Sequence, residues 1–174
     1  MDSRVDTRVE PRAQTAPAAP MWANLVATFF GMGRLQPGPG TWASAATITV
    51  WWAIARITPL SLQTGTNIGL ATVAILIGIP AATRAARAAS KKDPGFIVID
   101  EVAGQLVSLI AVPVSWKSLL LGFILFRGFD ILKPPPIRAL EHLPEGTGIV
   151  LDDVGAGLYA LAVMHLAVHF GAIS

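Results

Sequence analysis

At 174 residues, 53% hydrophobic and only 14% charged, the chain suits a single domain and lies on the apolar side of ordinary soluble proteins. Its formal charge of +2 is small and scattered, which argues against a nucleic-acid partner. With no cysteine, disulfides, thiolate metal sites and cysteine nucleophiles are excluded, and any metal must be held by oxygen or imidazole.

Residues 1–20 interleave Arg4, Arg8 and Arg12 with Asp2, Asp6 and Glu10 among Ala and Pro, without apolar periodicity, and this predicts a disordered tail. A cleaved signal peptide needs an apolar run behind its basic residues. Here the tail passes instead into Trp22 to Phe30 and a Gly/Pro loop, so no export signal is read. Residues 21–174 are read as one helical membrane domain. Its apolar blocks fall at residues 41–57, 67–82, 96–112, 116–129 and 150–170, with a short helix at 137–143. Each block has roughly 14 to 21 residues, near the roughly 20 that cross the hydrocarbon layer. The shorter ones are candidates for tilted, re-entrant or partly inserted segments. Pro37, Pro39, Pro59, Pro94, Pro113 and Pro134 to Pro136 mark the joints between them. The pattern predicts an all-α fold, a compact bundle of about five to six apolar helices integral to the membrane. A soluble bundle with unusually apolar core helices is the alternative.

Basic residues orient the blocks, because short loops rich in Lys and Arg stay cytoplasmic. Arg84, Arg87, Lys91 and Lys92 fill the joint between the second and third blocks, and Arg34 precedes the first. Threading from these points brings four joints to one membrane surface: residues 31–41, 93–101, 127–133 and 146–153. They hold nearly all the residues able to do chemistry.

Asp100 and Glu101 sit inside Phe96 to Gly104, an otherwise apolar stretch, and Asp152 and Asp153 follow Gly148 to Leu151 in the same way. An uncompensated carboxylate there costs on the order of 2 to 3 kcal/mol or more near a bilayer core, and a cation is the natural remedy. Neighbouring helical residues diverge by about 100°, so one carboxylate of each pair is expected to face an ion while the other binds water, ligand or its surroundings. Hard oxygen ligands fit Mg²⁺. The plainer reading of each pair is a helix start, where acids complement the dipole. Two such pairs on one predicted face favour a functional site.

In Phe126 to Ile137, Arg127, Asp130 and Lys133 are spaced by three and share one face if the helix persists. Arg127 offers a planar fork for phosphate, Lys133 a point charge, and Asp130 a further metal oxygen. The alternative is an interfacial salt-bridge set with snorkelling bases. The Gly31 to Thr41 joint could present backbone amides to phosphate, and Thr41 at its end joins the phosphate-binding candidates; a plain turn is the alternative. His165 and His169 are four apart but lie at the far end from the carboxylates, and are read as packed or interfacial. Trp22, Trp42, Trp51, Trp52 and Trp116 are read as interface anchors or packing.

Four motifs together resemble the phosphatidylglycerophosphatase A family: Gly31-Met32-Gly33 through Pro39-Gly40-Thr41; Asp93-Pro94 through Asp100-Glu101-Val102-Ala103-Gly104; Phe126-Arg127 with Phe129-Asp130-Ile131 and Lys133 to Ile137; and Gly146-Thr147-Gly148 through Asp152-Asp153 with Ala156-Gly157. Gly38, Ala43 and Val150 depart from the family's frequent residues, none at a charged position. The resemblance implies a Mg²⁺-dependent phosphatase of the bacterial inner membrane, acting on a phospholipid substrate in the bilayer and producing phosphatidylglycerol. It also implies that the matching acids are required, in a bundle of about six helices with one largely enclosed.

The mechanism expected from residues and resemblance together uses Asp100, Glu101, Asp130, Asp152 and Asp153 as catalytic and metal-binding candidates, with the site on the cytoplasmic face. Arg127 and Lys133 neutralise charge on the transferring phosphoryl group. Direct water attack and an intermediate on an Asp are both open. The rivals are another Mg²⁺-dependent head-group enzyme, a cation transporter with carboxylates along its path, and a binding-only relative. The spacing of alcohol phosphotransferases is absent, the carboxylates cluster at one surface, and the acidic set is intact.

Overall fold

The computed structural model describes residues 18–173. The tail expected over residues 1–20 therefore lies, apart from its last three residues, outside the described residues. Among the described residues there are seven α-helices and no strand: α1 (Met21–Ala27), α2 (Pro39–Ile57), α3 (Leu60–Ala89), α4 (Ile99–Ser108), α5 (Trp116–Leu132), α6 (Ile137–Leu140) and α7 (Glu145–His169), with a 3₁₀ turn at Met32–Arg34.

The breakers act where backbone chemistry requires. Gly38 enters α2 with φ of 70°, and Pro39 follows as the first helical residue, where its missing N–H costs nothing. Thr58, held extended by Pro59, ends α2. Ser115 caps α5, its Oγ accepting from the Ser118 N–H at 3.3 Å. Lys133 closes the same helix in the left-handed region ahead of the proline run.

Three elements differ from the sequence expectation. The segment leading into the first block contains a helix of its own, α1, which packs on α3 through small residues, Ala23 and Ala27 on one side and Ala81, Ala82, Ala85 and Ala86 among the buried residues of the other. The second block is part of a 30-residue helix, about 45 Å long, that continues through Pro80 and carries Arg84 and Arg87 in its last turns rather than in a loop. The third block, expected over 96–112, is helical only for the ten residues of α4, about 15 Å, so it does not cross a bilayer. Every residue of α4 except Glu101 is buried.

α4 and α7 form the most extensive helix pair, flanked by α3 on one side and α5 on the other. Glycines set the spacing. A Cβ at Gly104 would overlap the Asp153 carbonyl oxygen and the Phe126 ring, and one at Gly157 would overlap the Gly104 carbonyl oxygen. α3 and α7 are long and apolar enough to cross a membrane, by length and composition. Large apolar side chains face outward, among them Ile57, Leu76, Ile124, Leu158 and Leu166.

Candidate metal centre

The close approach of α4 to α7 puts Asp100 and Glu101, in the first turn of α4, beside Asp153, one helical turn before Gly157. These three residues each offer an oxygen within 4.8 Å of the others, a group able to hold a metal ion. Asp100 is 9% exposed and Asp153 3%. Asp100 Oδ1, Glu101 Oε2 and Asp153 Oδ2 are buried without a hydrogen-bond partner. An unpaired buried carboxylate oxygen forfeits its hydration without return, and three converging ones form the donor set that a hard cation satisfies. The residues present therefore fit a divalent metal ion.

The α2 N-terminus completes one wall, because a Cβ on Gly40 would overlap Glu101 Oε1 and lie 3.2 Å from Arg127 Nη1. Only glycine admits the Glu101–Arg127 pair so close to this backbone. Thr41, the next residue, is exposed at the same end of α2. From α5, Arg127 Nη1 donates to Asp130 Oδ2 at 2.7 Å and lies 3.7 Å from Glu101 Oε1, while its buried Nε has no partner. Arg127 thus bridges α4 and the Asp130 turn, with donor capacity in reserve for an anion. Asp130 is also a charged neighbour of Asp153.

Lys133, past the end of α5, donates from Nζ to Asp152 Oδ2 at 2.6 Å and to Glu141 Oε1 at 2.7 Å. Asp152 Oδ1 accepts from the Asp153 N–H at 3.0 Å. Asp152 is therefore satisfied by protein groups, whereas Asp153 keeps an open oxygen; the second acidic pair divides, but the first does not, because Asp100 and Glu101 both turn an oxygen into the cluster instead of one alone. Burial opposes the Lys133 charge, but the bonds to Asp152 and Glu141 outweigh it and raise the Lys133 pKa above its ordinary value. The same bond from Lys133 holds Glu141 below its ordinary value. A cavity of about 210 Å³ adjoins Asp152, walled also by Lys92, Asp93 and Glu141.

All four joints that the charge pattern assigns to one surface do converge. Asp100, Glu101, Asp130, Asp153 and Arg127 meet directly, Asp152 and Lys133 adjoin them, and Thr41 stands at the rim. His165 and His169 take no part: His165 Nε2 donates to the Ile110 carbonyl at 3.0 Å and His169 packs edge-on against Phe170. Glu141 was not visible beforehand, because one acid in a short proline-bounded helix has no spacing signature. Gly40 lay within a recognised joint, but its closeness to Glu101 depends on how α2 packs.

A protein all-helical among its described residues, with three carboxylates each offering an oxygen within 4.8 Å of the others and two bases beside them, has the make-up of a metal-competent, phosphate-handling protein. The family model of phosphatidylglycerophosphatase A matches residues 25–168. A phosphatidylglycerophosphatase A of Haemophilus influenzae is 41% identical over 145 residues, covering 81% of this chain and 85% of the relative. One of Escherichia coli is 32% identical over 148 residues, covering 84% and 83%. A Bacteroides thetaiotaomicron protein provisionally named phosphatidylinositol-3-phosphatase is 32% identical over 146 residues, covering 82% and 91%. No solved structure matches the chain. The chain belongs to the phosphatidylglycerophosphatase A family.

Proposed function

We propose that this protein is a Mg²⁺-dependent lipid phosphatase that hydrolyses phosphatidylglycerophosphate to phosphatidylglycerol and phosphate, a step of glycerophospholipid biosynthesis. The observation that carries this reading is the set of three buried, unpartnered carboxylate oxygens on Asp100, Glu101 and Asp153 beside Arg127. The relatives' names support the substrate.

In this reading Asp100, Glu101 and Asp153 hold the ion, with Asp130 and Asp152 as further acidic members of the site. When bound, Mg²⁺ supplies Lewis acidity toward a phosphoryl oxygen and offsets the clustered negative charge. Arg127 presents its remaining N–H groups to the phosphate, its plane fixed by Asp130 and Glu101. Lys133 adds a point charge beside Asp152, and Thr41 binds phosphate from the α2 end. A carboxylate not engaged with the ion orients the attacking water. Burial of the acids keeps bulk water from competing for these contacts.

We place the protein in the bacterial inner membrane as a multi-pass protein with this site on the cytoplasmic face. The length and apolar character of α3 and α7, the outward-facing apolar side chains and the basic residues near the site end, Arg84, Arg87, Lys91 and Lys92, support it.

The test is phosphate release from phosphatidylglycerophosphate by purified protein in detergent, with Mg²⁺ or EDTA, beside Asp100→Asn and Asp130→Asn. Release that needs Mg²⁺ and disappears in both variants supports the reading. No release by folded wild-type protein overturns it. The name of the Bacteroides relative motivates a parallel arm with phosphatidylinositol 3-phosphate; faster release there would move the substrate to another phosphorylated head group on the same centre.

A further inference from the structure

An apolar cavity of about 330 Å³ lies among α1, α2, α3 and α4, and its lining is entirely apolar. Two of its walls begin at the carboxylates. On α4, Ile99 immediately precedes Asp100, and Val102 and Leu106 continue the same stripe away from the acidic turn. On α2, Gly40 abuts Glu101 and Arg127, while Thr47 and Trp51, two and three turns further on, line the cavity. Thr47 donates its hydroxyl to the Ala43 carbonyl at 2.8 Å, which occupies the one hydroxyl of the lining. The cavity thus runs roughly 10 Å down both helices from the point where a phosphate would sit. Trp51, 2% exposed, gives it a packed floor, and Val50 and Val73, each about half exposed, form a rim open to the side.

We propose that this cavity receives one acyl chain of the phospholipid substrate, so that the enzyme reads the chain as well as the head group. The proposal rests on the phosphatase reading above. A phospholipid joins a charged phosphate to an apolar chain through a short backbone, and the protein juxtaposes acids and bases with a wholly apolar slot on the same two helices. A chain held there places its phosphate at the carboxylate end, which converts burial of methylenes into positioning of the reacting group.

The test compares kcat/KM for dioleoyl and dihexanoyl phosphatidylglycerophosphate, in mixed micelles of one detergent, for wild type, Ala74→Phe, Val73→Trp and Ile124→Trp. Ala74 lines the cavity and Val73 its rim, whereas Ile124 is an exposed apolar residue of α5 away from it. The expected result is a fall in the long-to-short preference of about tenfold or more in the two cavity variants, equivalent to losing about two buried methylenes. Ile124→Trp keeps the wild-type preference. If Ala74→Phe does not fold, Val73→Trp decides alone, because its side chain starts half exposed. A preference unchanged in Val73→Trp, or reduced as much in Ile124→Trp, overturns the proposal and leaves the cavity to bulk lipid. Absence of release from either substrate by wild type overturns the phosphatase reading itself, a distinct outcome.

Discussion

Asp153 is 3% exposed and has Asp130, Glu101 and Asp152 as charged neighbours, so without a cation its charge costs several kcal/mol. Asp153→Asn removes that cost while keeping the shape. We expect this variant to be more stable than wild type in EDTA, by about 2–4 °C in Tm for each kcal/mol recovered. Its Mg²⁺-dependent rise in Tm should vanish, and phosphate release should fall by about 10²-fold or more. Thermal scans with and without Mg²⁺ check this; a variant less stable than wild type in EDTA would contradict the cation site. Lys133 and Glu141 give a pH signature. Glu141 lies below its ordinary pKa, so its contribution is complete above the unfolded value of about 4.3 and is lost as pH falls through the folded one. Lys133 lies above its ordinary pKa, so its contribution is complete below about 10.4 and is lost as pH rises through the folded one. The Tm difference between wild type and Glu141→Gln should therefore stay flat from about pH 5 to 10 and shrink in stronger acid. Glu141 is 42% exposed, so screening keeps the difference below about 1 kcal/mol.

The helices reach this arrangement through side chains that are missing rather than present. At Gly104 a Cβ would strike the Asp153 carbonyl, whereas at Gly69, in mid-α3, it would meet nothing within 4 Å. Gly104→Ala should cost about 1–3 kcal/mol, spread α4 from α7 and reduce activity by displacing Asp153. Gly69→Ala should instead stabilise by about 0.5–1 kcal/mol with unchanged activity. Denaturation midpoints and phosphate release for the two variants check the contrast. The same contrast explains what the sequence could disclose. Adjacent acids in an apolar run announce themselves, because burying them is costly wherever the chain goes, so Asp100-Glu101 and Asp152-Asp153 were legible. A glycine discloses its role only once its opposing backbone is known. α4 was overestimated because Ile110 and Val112, apolar like a helix, lie beyond its last turn around Ala111, whose φ is 56°. α3 was underestimated because Arg84 and Arg87 read as loop. They are solvent-facing residues of a continuing helix, Arg84 over the Trp22 ring and Arg87 bonded through Nε and Nη2 to Glu145.

At the scale of the molecule, the four joints come together because the chain reverses at its breakers; α4, too short to run the bundle's length, still returns through Ala111 and Pro113 to α5. That topology predicts which end of the bundle meets the cytoplasm. Lys92 lies at the carboxylate end, on the wall of the cavity beside Asp152. Lys117 opens α5 at the opposite end, next to Trp116, and is exposed. The chain contains no cysteine, so single Lys92→Cys and Lys117→Cys variants can be labelled without background. In intact cells or right-side-out vesicles, a membrane-impermeant maleimide should label Lys117→Cys and spare Lys92→Cys until the membrane is opened. Phosphate release by Lys117→Cys should match wild type, since the residue is remote from the acids. The reverse labelling pattern would place the acidic centre on the outer face, and labelling of both variants from outside would count against burial of the bundle in the bilayer. The expected pattern follows from basic residues being retained on the cytoplasmic side, and it would put the clustered acids where a cytoplasmic divalent cation and a newly made phosphorylated lipid both reach them.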